Sequence, residues 1–210
     1  MSKCVLLLVD IQNDFLPGGS LAVPCGDEVI SAANRLIPGF DLVVATQDWH
    51  PPNHGSFASQ HNGQEVGDTV VLGDLQQILW PDHCVQGTHG AEFAPELNAS
   101  GIDHVVRKGT DPMIDSYSGF FDNGHRRSTG LSDLLTASDV GRVMIAGLAT
   151  DYCVRFTAMD ALELGFETVL IEDVCRGVDL NPHDSQKAIA AMASAGVSVC
   201  SSSDVSCRNS

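Results

Sequence analysis

The sequence is short of basic residues. Against 27 aspartates and glutamates stand 11 lysines and arginines, a formal net charge of −16 over 210 residues. Nucleic acids and anionic membranes need basic patches on their partners, so neither is expected here. The acids are dispersed rather than gathered in a block, as on a solvated acidic surface. Long apolar runs are missing too. None approaches the roughly 18 residues of a membrane span, and the apolar stretch behind Lys3 stops at Asp10 without a cleavage pattern. The seven cysteines are odd in number, contain no C-x-x-C pair and keep no regular spacing. A secreted disulfide framework would show an even count in a shorter chain, so a reducing, cytoplasmic setting is expected. No internal repeat, low-complexity block or linker divides the chain, and residues 1–210 are expected to form a single domain with one sizeable core.

What is present is an alternation of short β-rich apolar runs with helical patterns. Strands are expected at 4–9, 42–45, 104–106, 143–145, 168–171 and 197–200, and helices at 27–37, 131–137, 151–164 and 185–195. Residues 49–93 and 111–128 show little periodicity, and irregular stretches this long inside a compact domain tend to be functional. Residues 201–210 read as a loose tail. The alternation implies βαβ units with right-handed crossovers and a largely parallel sheet. Such sheets bind ligands at the carboxyl ends of their strands. Asp10, Asp48, Lys108 and the turn 149–153 all fall at such ends.

The chain is organised around 147–165, GLATDYCVRFTAMDALELG. Val154, Ala158, Ala161 and Leu162 mark one buried helix face, with Thr150 suited to cap it and Asp151 to its first turn. Cys153 then sits about one turn inside the helix, where the dipole and free amides favour a thiolate. A buried structural cysteine is the ordinary alternative. A nucleophilic thiol needs a base or a cation nearby. Asp10 could take the thiol proton and return it to a leaving amine, with Lys108 holding the carboxylate and stabilising the thiolate; alternatively Asp10 caps a loop and Lys108 is an exposed strand-end lysine.

Residues 46–54, TQDWHPPNH, are the metal candidate. In extended chain Asp48 and His50 point to the same side, and His83, about thirty residues on, could be a third ligand. Two nitrogens and one carboxylate suit Zn²⁺ first, with Fe²⁺ or Mn²⁺ as alternatives. His54 is near enough to be a fourth ligand and is left outside the set. Cys84 competes as ligand or nucleophile, but adjacent extended residues point to opposite sides, which separates it from His83.

With these residues in place, the sequence resembles the nicotinamidases of the isochorismatase-like hydrolase family. The match lies in VDIQNDF (9–15), TQDWHPPNHGSF (46–57), WPDHCVQGTHGAEF (80–93), RKGTDPMIDSYSGF (107–120) and GLATDYCV (147–154). The resemblance implies a three-layer α/β/α sandwich around a mainly parallel, Rossmann-like sheet of about six strands. It implies a metal-dependent cysteine amidohydrolase that converts nicotinamide to nicotinate and ammonia through a thioester, in NAD salvage. By position it implies the triad Asp10, Lys108 and Cys153 and the ligands Asp48, His50 and His83. It also implies an oxyanion hole from the N–H groups of Ala149 and Cys153, a cis peptide before Ala149, and a ring pocket with Phe15, Trp80 and Tyr117. Substrates would be nicotinamide and related pyridine or pyrazine carboxamides; a homo-oligomer stays open. Two alternatives stand beside this. One is a relative cleaving a carbamoyl or ureido group, which would need the triad but no metal. The other is a non-catalytic metal-binding or redox-sensing module.

Overall fold

The computed structural model describes residues 2–205; positions 206–210, part of the expected tail, lie outside the described residues. Before them Ser202–Asp204 forms a short 3₁₀ turn. Six strands make the central sheet: β1 (Lys3–Val9), β2 (Leu42–Asp48), β5 (His104–Lys108), β6 (Val140–Leu148), β7 (Glu167–Arg176) and β8 (Ser198–Cys200). Their order is β5-β2-β1-β6-β7-β8 and every pairing is parallel. The chain builds outward from β1 to one edge and then returns to build the other half from β6. That reversal places a crevice at the carboxyl ends of β1 and β6.

Strand periodicity sorts the apolar residues into two layers. Leu6, Leu8, Val43, Ala45, Met144 and Ala146 face one side, where they meet Val29, Ala33 and Leu36 of α1 (Glu28–Leu36). Val5, Leu7, Val44, Val143 and Ile145 face the other, with α2 (Leu131–Ala137), α3 (Arg155–Glu163) and α4 (Asp184–Ala195). Each fully buried side chain of this kind contributes roughly 1.5–3 kcal/mol. β1 and β6 approach closely at Gly147, where a Cβ would stand 2.1 Å from the Val9 carbonyl oxygen. Only glycine fits there.

Three expectations need correction. Residues 69–78, read as irregular, form a hairpin of β3 (Thr69–Leu72) and β4 (Leu75–Ile78) joined by Gly73-Asp74. The strands β2 and β5 run two or three residues further than apolarity suggested, because sheet hydrogen bonds continue into polar residues. Thr150 makes no side-chain cap, and the first turn after β6, Thr150–Val154, is a π turn: Val154 N–H donates to Ala149 O, five residues back, at 3.1 Å. Asp151 does lie in that first turn, as expected. Its carboxylate accepts the Val178 and Asp179 N–H groups, tying down the loop after β7.

Among the described residues no helix is long and apolar enough to cross a membrane.

Candidate active site

Asp48 on β2 is in register with Lys108 on β5, and Val9 of β1 pairs with Gly147 of β6. Asp10, Asp48, Lys108 and Ala149 therefore arrive at one edge of the sheet. Lys108 is 1% exposed and Asp10 0%, so the reading of Lys108 as a solvated strand-end residue fails. Its Nζ lies 2.8 Å from Asp10 Oδ2 and donates to Asp48 Oδ1 at 2.6 Å, Ser116 O at 3.0 Å and Cys153 Sγ at 3.3 Å. A carboxylate oxygen of Asp10, one of Asp48 and the Cys153 sulfur lie within 4.8 Å of one another. Asp10 leaves its strand at φ 49°, a left-handed conformation that aspartate tolerates better than most residues. Thr46 Oγ1 steadies it, donating to Asp10 Oδ1 at 2.6 Å and accepting the Asp10 N–H at 3.2 Å.

Burial dominates the electrostatics. Desolvation raises Asp10 to about 6 against the pull of Lys108, with neighbouring Asp48 adding to the rise. Asp48 is likewise raised by burial, opposed by Lys108. Burial alone would lower Lys108, but Asp10 and Asp48 reverse that and hold its ammonium well above the usual value. Desolvation pushes the Cys153 thiol well above its usual range; Lys108 opposes this, and the two acids reinforce it. The expectation that the helix start favours a thiolate is thus corrected. Burial works against a thiolate here, and the Lys108 ammonium works for one.

Asp48, His50 and His83 bring one donor atom each within 4.8 Å of the others. His50 Nδ1 donates to Gly109 O and His83 Nδ1 to Pro81 O, each at 2.8 Å. A carbonyl only accepts, so in each neutral ring the lone pair stays on Nε2. Burial lowers both imidazoles to about 4, which keeps them neutral at pH 7. Buried, oriented donors of this kind fit a divalent cation. His54 stands beside them, its ring centroid 4.3 Å from that of His50, and its buried Nε2 has no partner among the described residues.

A cavity opens over these groups and is lined by Cys153, Ala149, His50 and His83, together with Phe15, Trp80 and Tyr117. The peptide Leu148–Ala149 is cis. Trp80 Nε1 and Gln77 Nε2 both donate to the Tyr117 hydroxyl, at 3.1 and 3.0 Å. Cys84 is elsewhere: it is fully buried in the core on the α1 side, its thiol facing Gly90 O at 3.9 Å. Sequence reasoning missed three residues. Tyr152 lines the cavity with its ring edge-on to Trp80, and its place beside Cys153 was a usable signal. Asp115 and Gln77 come from stretches without periodicity, and nothing local marked them.

The isochorismatase domain model matches residues 4–204. The nicotinamidase of Escherichia coli (strain K12) is 50% identical over 203 residues, 95% of either chain. Among solved structures, a nicotinamidase–pyrazinamidase of Acinetobacter baumanii matches with a TM-score of 0.94 at 45% identity, covering 97% of this chain and 98% of that one. The pyrazinamidase of Pyrococcus horikoshii in complex with zinc matches with a TM-score of 0.78 at 39% identity, covering 95% and 99%. A match of this extent in sequence and in fold settles membership: the chain belongs to the isochorismatase family, among its amide-bond hydrolases.

Proposed function

We propose that the chain hydrolyses nicotinamide to nicotinate and ammonia, as a step of cytoplasmic NAD salvage, with related pyridine and pyrazine carboxamides in the same substrate class. The observation that carries this reading is one buried ammonium, Lys108 Nζ, in reach of Asp10, Asp48 and the Cys153 sulfur beneath an aromatic-walled cavity. The names of the Escherichia coli and Acinetobacter relatives support the substrate.

Phe15, Trp80 and Tyr117 hold the ring. Asp10, ionised at pH 7 yet raised to about 6, takes the thiol proton as Cys153 Sγ attacks the carboxamide carbon. The Ala149 and Cys153 N–H groups receive the developing oxyanion. Asp10 then protonates the departing ammonia and leaves a thioester on Cys153. A water molecule, deprotonated by Asp10, attacks the thioester carbon; the C–S bond breaks, the acid leaves and the Cys153 sulfur takes back the proton from Asp10. Throughout, Lys108 offsets the negative charge that passes between sulfur and carboxylate.

Asp48, His50 and His83 would hold one divalent ion, Zn²⁺ first on donor chemistry and on the zinc-bound Pyrococcus relative. When bound, the ion supplies a Lewis-acid contact for the pyridine nitrogen. That buried donor set also weighs against a carbamoyl or ureido hydrolase, which has no use for it.

The test is ammonia release from nicotinamide by Zn²⁺-loaded protein, run beside Cys153→Ala and beside chelated protein with Zn²⁺, Fe²⁺ or Mn²⁺ added back. Release by the parent, none by Cys153→Ala and recovery on adding metal are expected. A metal-loaded parent that yields no ammonia overturns the substrate.

A further inference from the structure

The hairpin of β3 and β4 is a sheet of its own, and two strands alone are marginal in water. Its base is tied by the Gly67 N–H to Leu79 O and by the Leu79 N–H to Asp68 O, each at 2.8 Å. Along β4 the side chains alternate: Gln76 is exposed and Gln77 is buried. A buried amide must be paired. Gln77 Nε2 meets three acceptors, Ile78 O at 2.8 Å, Tyr117 Oη at 3.0 Å and Asp115 Oδ2 at 3.2 Å. A carbonyl and a carboxylate only accept, so the nitrogen of this amide, and not its oxygen, faces them. With two hydrogens for three acceptors, Tyr117 and Asp115 share one.

Tyr117 carries that contact into the site. Its ring lines the cavity, edge-on to Tyr152 with centroids 5.5 Å apart. Its oxygen also accepts from Trp80 Nε1 at 3.1 Å. Gln77 and Trp80 lie three residues apart, so one short stretch of chain grips the hydroxyl with two N–H groups. The Tyr117 N–H donates to Asn123 Oδ1 at 2.9 Å, which fixes the other end of the residue. Gln77 Nε2 donates to none of Asp10, Lys108 and Cys153.

We propose that Gln77 is a positioning residue: it braces the Tyr117 ring against Trp80 and, through that ring, sets how tightly a substrate ring is bound, leaving the reacting groups alone. This role rests on the reading of the cavity as the seat of a pyridine carboxamide. It gives the β3–β4 hairpin a task, to carry the amide that steadies one wall. Without that amide the hydroxyl keeps one donor, the ring gains freedom, and binding must first remove it.

The test separates binding from chemistry. Gln77→Met and Gln77→Leu remove the donor at similar volume, two variants so that misfolding of one, read by melting, leaves the other to decide. Gln76→Met is the exposed control on the same strand. With Zn²⁺-loaded protein, KM and kcat for nicotinamide and competitive inhibition by nicotinate report on the ring pocket. Alkylation of Cys153 by iodoacetamide needs no ring and reports on the reacting groups. Both Gln77 variants should raise KM and the nicotinate inhibition constant about 3–10-fold, the size of one neutral hydrogen bond. Their kcat should stay within about twofold, with alkylation at the parental rate and Gln76→Met parental throughout. A double-mutant cycle asks whether Gln77 acts through the hydroxyl: added to Tyr117→Phe, Gln77→Met should change KM by less than about twofold. An undiminished Gln77 effect in that background makes Gln77 a general support of the hairpin and overturns the inference. So do parental KM in both Gln77 variants, lost kcat at unchanged KM, and collapsed melting in both. In each of these cases an active parent leaves the nicotinamide reading standing. A metal-loaded parent that yields no ammonia overturns that reading and this one together.

Discussion

Cys153 and Cys84 are both buried, both free thiols and both pushed well above the usual thiol range by desolvation. Their surroundings differ. Cys84 faces a backbone carbonyl within the core on the α1 side. Cys153 faces the Lys108 ammonium and the Asp10 carboxylate and lines a cavity. Burial by itself makes a thiol inert. A buried thiol becomes a usable nucleophile only where a proton acceptor and a cation are already waiting and a substrate can enter.

That contrast can be broken most directly by exchanging the two. Cys153→Ala should lower ammonia release about 10⁴-fold or more, while Cys84→Ala keeps most of it and loses about 1 kcal/mol of stability, read by denaturant unfolding. The reverse pattern would make Cys84 the nucleophile. Asp10→Asn removes the acceptor and leaves the shape. A loss of about 10²–10⁴-fold is expected; parental turnover would show that the proton goes elsewhere. A third check uses pH. Asp10 acts as base only when ionised, and burial sets it to about 6. The rate should therefore hold above that value and fall roughly tenfold per pH unit below it, with bound metal assayed at each pH. A profile flat to pH 4.5 would contradict the assignment. The smallest effect concerns the cation. Lys108→Met should slow alkylation of Cys153 about tenfold at fixed pH, the size of a ~1.4 kcal/mol contact, without changing that of Cys84.

The sheet was legible because its strands are apolar on both faces, as residues 5–9 and 143–146 show, and because turns such as 38–39 and 196 are marked by Pro or Gly. Its polar strand ends were legible as positions but not as partners. Nothing in the sequence pairs Asp48 with Lys108, because that contact depends on the register of β2 against β5. The hairpin at 69–78 had a readable signal in Gly73-Asp74 between β-rich runs, lost in the irregular stretch around it. The π turn at 150–154 had none, since its apolar spacing matches that of an α-helix. Asp115 and Gln77 stay hidden for a third reason. Each is an ordinary polar residue in an aperiodic stretch, and only burial beside the others gives it meaning.

The Lys108 side chain has one further consequence. Its single ammonium is divided between Asp10, the proposed proton acceptor, and Asp48, a proposed metal ligand, so the two halves of the centre draw on one source of positive charge. Recasting either half for a new substrate or a different ion would retune the other. Changes in this molecule should then succeed as matched sets, and rarely one at a time.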